Sequence, residues 1–336
     1  MGSGRGATGG VRIADVAAAA GVAPMTVSRV INTPERVTAE TAARVRAAIA
    51  RLGYVPNLVA GGLSSRRSRI IAAIVPTIAH PMFTALVDSF TETLRDAGYQ
   101  VMLSLSGYAA GREDELVRAL LGRRPDGILL TGAEHGPATR QMLAEAAIPV
   151  VEIFDTGAPI DMLVGFDHAA IGAAVATYFL EKTHKRFAVF AAGDTRALAR
   201  RRGFAERVAR AGGVLIGDPI VGAPSTIAAG RDALRALLPS LKERTALFCS
   251  SDLLAFGAIV EAGVHGVDVP GRLAVCGFGD FELGAASEPA FTTVTVEAGR
   301  IGRDAAEMLL ARLRGASPAV ADVVHVPFRI VERAST

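Results

Sequence analysis

The chain has 336 residues, half of them apolar, with 36 Gly, no Trp and two Cys; this suits a soluble α/β protein of two or three domains, not a disulfide scaffold. No run of about 18 uncharged apolar residues occurs, which argues against a transmembrane helix, and the Gly-rich residues 1–10 lack the apolar stretch of a secretory signal, so a disordered tail on a cytoplasmic protein is expected. The formal charge of +3 is uneven: residues 1–69 carry ten Arg against three acids and the remainder nets −4, which points to a polyanionic partner for the head alone.

Three short helical patterns open the chain. Residues 11–20 place Ile13, Val16 and Ala17 on one face and stop at Gly21. Residues 24–31 begin with Pro24, which suits a first helical turn, and bury Val27, Val30 and Ile31. The third pattern follows Thr38 as N-cap, carries Val45, Ile49 and Leu52, and ends at Gly53. Only Gly21-Val22-Ala23 separates the first two, which is the spacing of a helix-turn-helix. The outward residues of the second helix, Met25, Thr26, Ser28 and Arg29, are types that meet bases and phosphates; Arg29 can pair with a guanine edge or hold a phosphate.

The stretch Ile13-Ala14-Asp15-Val16-Ala17, Gly21-Val22, Thr26 to Asn32 and Leu52-Gly53-Tyr54-Val55-Pro56-Asn57 resembles the head of the lac-repressor (LacI/GalR) family, and the resemblance runs over nearly the whole chain after the tail. It implies that the second helix enters the major groove of operator DNA, with Pro24 and Met25 at the sequence-reading positions. Thr26, Ser28, Arg29, Asn32, Thr38 and Thr41 match supporting contacts. Ala23 departs from the family's usual Ser or Thr cap, a change worth about 1 kcal/mol. Residues 57–65 resemble the family's hinge helix, in which a Leu wedges between base pairs in the minor groove. Asn57, Ala60 and Leu63 match it, and Arg66, Arg67 and Arg69 follow as phosphate contacts. Gly61-Gly62 weakens this helix by about 1 kcal/mol per Gly, so a hinge that orders only on DNA is expected, with a plain flexible linker as the alternative.

From residue 70, about seven apolar runs (70–75, 100–105, 127–131, 150–154, 187–191, 246–249 and 274–278) alternate with amphipathic stretches such as 83–97. That alternation predicts parallel sheets covered on both faces, in two doubly wound subdomains with a cleft between. The resemblance implies a periplasmic-binding-protein-like fold of type 1 with crossovers near Asp167, Val296 and His325. The expected divisions are a tail (1–10), a head (11–57), a hinge (58–68) and a core (69–336). Within the core, one subdomain takes about 69–166 and 297–323, and the other about 168–295 and 325–336.

Ligands in such folds bind beyond the carboxyl ends of the strands. His80, Phe83, Asp155, Ser251 and Asp280 follow strands there, with Ser250, Asp252 and Gly279 beside them; Asp252 is as well placed to cap a helix. Arg200, three residues before Gly203, matches a ligand-contacting Arg of the family, whereas Arg201 and Arg202 read as solvated. Neutral-sugar members tend to have Asn-Asp where this chain has Ser251-Asp252, and an Asp where it has Gly279. Loss of that Asp with Arg200 kept favours an anionic ligand. Residues 98–103, Pro149 to Glu152 with Asp155, Val164 to Asp167, and Met25 look most like the gluconate-operon repressor subgroup, which implies gluconate or a related sugar acid as effector. A neutral sugar or nucleoside is the alternative, and the effector's sign, inducer or co-repressor, stays open. The resemblance also implies a homodimer, and no leucine heptad follows Arg333 to build a tetramer.

No H-E-x-x-H, G-x-S-x-G or P-loop is present, the six His show no metal spacing, and no cofactor is expected. Gly4 to Gly9 spells G-x-G-x-x-G without a preceding strand. An enzyme and a transport-type binding protein are therefore the weaker readings. Cys249 and Cys276 are expected as buried reduced thiols.

Overall fold

The computed structural model describes residues 11–55, 67–109, 111–315 and 322–336, with Asn32 described by its backbone alone. The tail and most of the hinge, with Asn57, Ala60, Leu63 and Arg66, lie outside the described residues. The chain divides into two compact units, Met1–Ser68 and Arg69–Thr336.

The head contains α1 (Ile13–Ala20), α2 (Pro24–Asn32) and α3 (Ala39–Leu52). Helix α1 starts later than the apolar pattern suggests, because Arg12 is extended and its N–H donates to the Asp15 carboxylate at 2.7 Å. Gly21, at φ 64, ends α1 in the left-handed conformation. The chain then turns through 101° into α2, within the range for a helix-turn-helix. Ala23 gives α2 no side-chain cap, and Pro24 opens the helix where its missing N–H costs nothing. Thr38 caps α3, its hydroxyl accepting from the Thr41 N–H at 3.4 Å. Val16, Ala17, Val27, Val30, Ala42 and Val45 form the core of this unit. Arg44 on α3 donates to the Ala20 carbonyl at 2.6 Å, tying the third helix to the turn between the first two.

The larger unit runs β1 (Ile70–Val75), α4 (Pro81–Asp96), β2 (Gln100–Leu105), α5 (Arg112–Leu121), β3 (Gly127–Thr131), α6 (Pro137–Ala146), β4 (Val150–Ile153), β5 (Met162–Gly165), α7 (His168–Glu181), β6 (Arg186–Ala192), α8 (Thr195–Arg210), β7 (Val214–Gly217) and β8 (Ile220–Val221). It continues through α9 (Ile227–Leu237), β9 (Thr245–Cys249), α10 (Asp252–Val264), β10 (Leu273–Phe278), α11 (Glu282–Ala286), β11 (Thr292–Val296), α12 (Ala298–Leu313), β12 (Val323–His325) and β13 (Phe328–Val331). One sheet has the order β12-β5-β4-β3-β1-β2 and is parallel throughout. The other has the order β13-β11-β10-β9-β6-β7, with β8 on β6 and only β13 antiparallel. Ile71 and Ala73 pack with Phe90 and Leu309, while Ala72 and Ile74 pack with Val117 and Leu143. Successive residues of β1 thus point to opposite faces and both faces are covered, which is why the strand reads as a continuous apolar run.

The expected fold class, a small helical head before two doubly wound α/β subdomains, is what forms. The count of about seven strands was too low. The strands β5, β7, β8 and β12 have four residues or fewer, and β11 and β13 carry Thr or Arg among their apolar residues, so a search for apolar runs passes over them. The chain passes between the two sheets at 166–167, at 297 and at 326–327.

Candidate functional site

Two surfaces carry the predicted site residues, one in each unit. In the head, the first turn of α2 presents Pro24 and Met25, the latter 63% exposed, with Arg29 exposed one turn on; Thr26 and Ser28 are half-buried beside them. Met25 therefore stands in solvent at the helix start and takes no part in the core of the head. Thr38 is exposed and Thr41 half-buried, and their hydroxyls bond to each other at 3.0 Å.

In the larger unit, the carboxyl ends of both sheets face one cleft. An inner chamber of about 50 Å³ is walled by His80 and Phe83 from the β1 end, by Phe154 and Phe166, and by Arg200, Ser251 and Phe278 from the other sheet's side. It adjoins a vestibule of about 560 Å³, and Tyr108, Asp194 and Arg196 line both. The inner chamber has room for only a few waters, whereas the vestibule has the volume of an ordinary ligand pocket.

Arg200 lines the inner chamber and is 6% exposed. Its guanidinium donates to the Ser250 carbonyl at 2.9 Å and to His168 Nδ1 at 2.7 Å, and lies 4.0 Å over the Phe278 ring. Arginine can only donate, so Nδ1 of His168 accepts. The proton of the imidazole is therefore on Nε2, which donates to the Phe154 carbonyl at 3.0 Å. Burial first, then the Arg200 and Arg196 charges, hold His168 well below the usual histidine range, in keeping with that neutral tautomer. Phe154 itself has φ 60, a rare conformation for a bulky residue. Burial and the neighbouring Arg200 push His80 down to about 4, so it is neutral at pH 7; its ring meets Phe281 edge-on at 4.6 Å. Burial likewise lowers Arg200, to about 10, leaving it charged. With both histidines neutral, the charged side chains lining the inner chamber are two arginines and one carboxylate, Asp194, which caps α8 by accepting from Ala197 N–H at 3.1 Å.

This geometry depends on how closely α7 and α8 pack. A Cβ on Gly172 of α7 would stand 1.9 Å from the Arg200 carbonyl, and one on Gly203 of α8 would stand 2.0 Å from that of Ala169. Only glycine permits the backbones to touch there, and the contact brings His168 and Arg200 within hydrogen-bonding reach.

Of the residues expected from sequence, His80, Phe83, Arg200 and Ser251 come together around the inner chamber; Asp155 and Asp280 do not line it. The Asp155 carboxylate turns back to accept from Ala133 N–H at 3.2 Å and Thr156 N–H at 2.8 Å. Asp280 pairs with Arg333 at 2.6 Å. Ser251 also caps α10. Asp252 accepts from Phe281 N–H at 2.8 Å and from Thr293 Oγ1 at 2.6 Å, and burial raises it to about 7; it braces β10 and β11 rather than lining the cleft. Arg201, read as solvated, pairs with Asp218. Gly279 has a backbone reason of its own: at φ 130 a side chain would be strained, and its Cβ would stand 2.5 Å from the Phe281 ring. Cys249 and Cys276 are buried free thiols.

Sequence reasoning passed over Arg196, Tyr108, Ser225 and His168, which also line the chamber. For Arg196 a signal existed, because it sits four residues before Arg200 and so shares its helix face. A buried cluster at the vestibule wall was also missed. The His135 side chain lies between Glu113 at 2.7 Å and Glu152 at 3.0 Å. Burial alone would lower its pKa, but the hydrogen bonds it donates to both carboxylates carry it to about 9.

Comparisons with known proteins identify the two units. Residues 12–57 match the model for bacterial regulatory proteins of the lacI family, and residues 176–336 match that for a periplasmic binding protein-like domain. The chain is 34% identical over 306 residues to the HTH-type transcriptional regulator GntR of Escherichia coli, covering 90% of this chain and 92% of that protein. A LacI-family transcriptional regulator from Silicibacter pomeroyi superposes with a TM-score of 0.90 at 32% identity, covering 97% of this chain and 99% of that one. The lac repressor dimer bound to operator and an anti-inducer superposes with a TM-score of 0.84 at 24% identity over 97% of this chain and 98% of that one, a likeness of fold.

Proposed function

From a chain that belongs to the LacI family of bacterial regulatory proteins, and is thus a DNA-binding transcription regulator rather than an enzyme, we propose a repressor whose hold on its operator is set by a small sugar acid, gluconate or a close relative, bound in the core cleft. One observation carries the effector's charge: the inner chamber opposes two arginines to one carboxylate, beside two neutral histidines. A buried excess cation favours an anionic ligand because an unpaired buried charge is costly. The resemblance of residues 98–103, 149–155 and 164–167 to the gluconate-operon repressor subgroup supports the same class.

The proposed contacts to the acid are His80, Phe83, Arg200 and Ser251. Pro24, Met25, Thr26, Ser28, Arg29, Asn32, Thr38 and Thr41 are the proposed operator contacts, with Asn57, Ala60 and Leu63 of the hinge. The protein acts as a homodimer, each head on one half-site of a pseudo-palindrome. An inner chamber of about 50 Å³ does not admit a six-carbon acid without opening. Effector binding is therefore coupled to movement of the two cleft walls, and that movement alters operator affinity only because the effector prefers one cleft state over the other.

The test is the melting temperature of the full chain with gluconate, galactonate, glucuronate, glucose and adenosine. A ligand at a hundred times its Kd adds about 2.7 kcal/mol, a shift of about 5 °C or more for a chain of this size. Upward shifts with an acid and none with glucose or adenosine are expected. A shift with glucose or adenosine and none with any acid refutes the sugar-acid assignment.

A further inference from the structure

The two arginines of the cleft are not equivalent. Arg200 is committed: buried, bonded to His168 and Ser250 and stacked on Phe278. To take an acid through its paired terminal nitrogens it must give up bonds that position both neighbours. Arg196 is half-buried and lines both the inner chamber and the vestibule, and among the described residues it has no hydrogen bond or ion pair. It stands in the first turn of the sixteen-residue α8, where the helix dipole favours an anion. It also reaches across the cleft: a Cβ on Gly132, at the end of β3 in the opposite sheet, would be 3.5 Å from Arg196 Nη1. Gly132, at φ 91, puts no side chain into that space; the Asp155 carboxylate borders it, 3.8 Å from the same point and held by the Ala133 and Thr156 N–H groups.

We propose that Arg196, rather than Arg200, is the residue that takes the effector's carboxylate, by a two-pronged hydrogen bond at the junction of the two chambers. The inference rests on the sugar-acid reading and assigns the group that recognises the acid. As the inner chamber opens, the effector lies against its walls with its far hydroxyls in the vestibule, where Glu113, Asp114, Glu134 and Asp194 are acceptors suited to hydroxyl donors and unsuited to a second anion. The site thus recognises a polyhydroxy acid with one anionic end. An acid carrying a terminal phosphate, such as 6-phosphogluconate, is excluded by like charge. Arg200 shapes the chamber by fixing the tautomer of His168.

Titration calorimetry of the full chain tests this with gluconate and 6-phosphogluconate. Arg196→Gln is expected to weaken gluconate binding by about thirtyfold or more, the lower end of what loss of one partner of a desolvated charge pair does. Arg196→Lys keeps the charge but loses the fork, and falls between. If Arg196→Gln does not fold, judged by its ligand-free melting curve, Arg196→Lys carries the test with an expected loss of at least threefold. Wild type is expected to bind 6-phosphogluconate at least tenfold more weakly than gluconate. Full gluconate affinity in Arg196→Gln, or in Arg196→Lys where it stands in, overturns the assignment, and equal affinity for the two acids overturns the exclusion. Failure of wild type to bind gluconate, galactonate or glucuronate is a different result, which removes the sugar-acid reading and this inference with it.

Discussion

Substituting Gly203 by alanine tests whether the α7–α8 contact builds the cleft. The added Cβ begins 2.0 Å from the Ala169 carbonyl oxygen, and ordinary contact begins near 3.4 Å. The atom it meets is backbone in the first turn of α7, so no side chain can rotate aside; the helices must separate or slide by about 1 Å or more. Overpacking of this kind costs about 1–3 kcal/mol, offset in part by the better helix propensity of alanine. For a unit of this size the net effect lowers the melting temperature by roughly 2–8 °C. Gly263→Ala is the internal control. That glycine lies in α10 with nothing within 4 Å of an added Cβ, so the same chemical change should be neutral or stabilise by up to about 1 kcal/mol. Both variants are compared with wild type by calorimetry at one concentration and pH. The displacement also lengthens the 2.7 Å bond between Arg200 and His168, so the response to any cleft ligand should weaken in Gly203→Ala alone. A Gly203→Ala protein that melts within 1 °C of wild type, or above Gly263→Ala, refutes the claim that this contact is at its steric limit.

His135 should give the core a pH-dependent stability. Its folded pKa of about 9 lies above the unfolded value of 6.5, so the contribution is complete below 6.5 and is lost as pH rises through 9. His135→Gln is expected to flatten the fall in melting temperature between pH 6.5 and 9.5, by up to about 3 kcal/mol of pH dependence; an unchanged slope counts against the triad. In the head, Ala23→Ser should supply the cap that α2 lacks, worth about 1 kcal/mol. Amide exchange in the first turns of α2 should slow about fivefold, and no slowing would mean that Pro24 already sets the helix start without help.

The head was the most legible part of the chain. Gly21, Pro24, Thr38 and Gly53 are punctuation marks with local causes: two left-handed glycines, a proline that needs no N–H, and a hydroxyl cap. Each acts within a few residues of itself, so the letters suffice. The parallel sheets were legible as a class because strands covered on both faces become apolar runs. The short strands were not, since Val323–His325 becomes a strand only by pairing with β5 from more than a hundred residues away. Gly172 and Gly203 show a further limit. Each looks like an ordinary helical glycine, and its meaning lies in a backbone contact with another helix.

The cleft divides the same way, and the division bears on mechanism. Position after a strand places His80, Phe83 and Ser251 at the chamber, because strand ends share one edge of the fold. What a side chain does there depends on partners that position cannot reveal. Asp155 and Asp280 sit at strand ends too, yet local N–H groups claim the first and Arg333 claims the second. Arg200 has the strongest sequence signal, and the structure engages it with two hydrogen bonds and a ring. Its bond to His168, and that of His168 to the Phe154 carbonyl, form one chain from α8 to the end of β4, in the opposite sheet. Such a chain is buried at both of its side chains, so its bonds support one another. A group with that task is poorly placed to adapt to an incoming acid. Arg196, one turn earlier on α8, is half-buried and has no hydrogen bond or ion pair among the described residues, which is the contrast on which its proposed role rests.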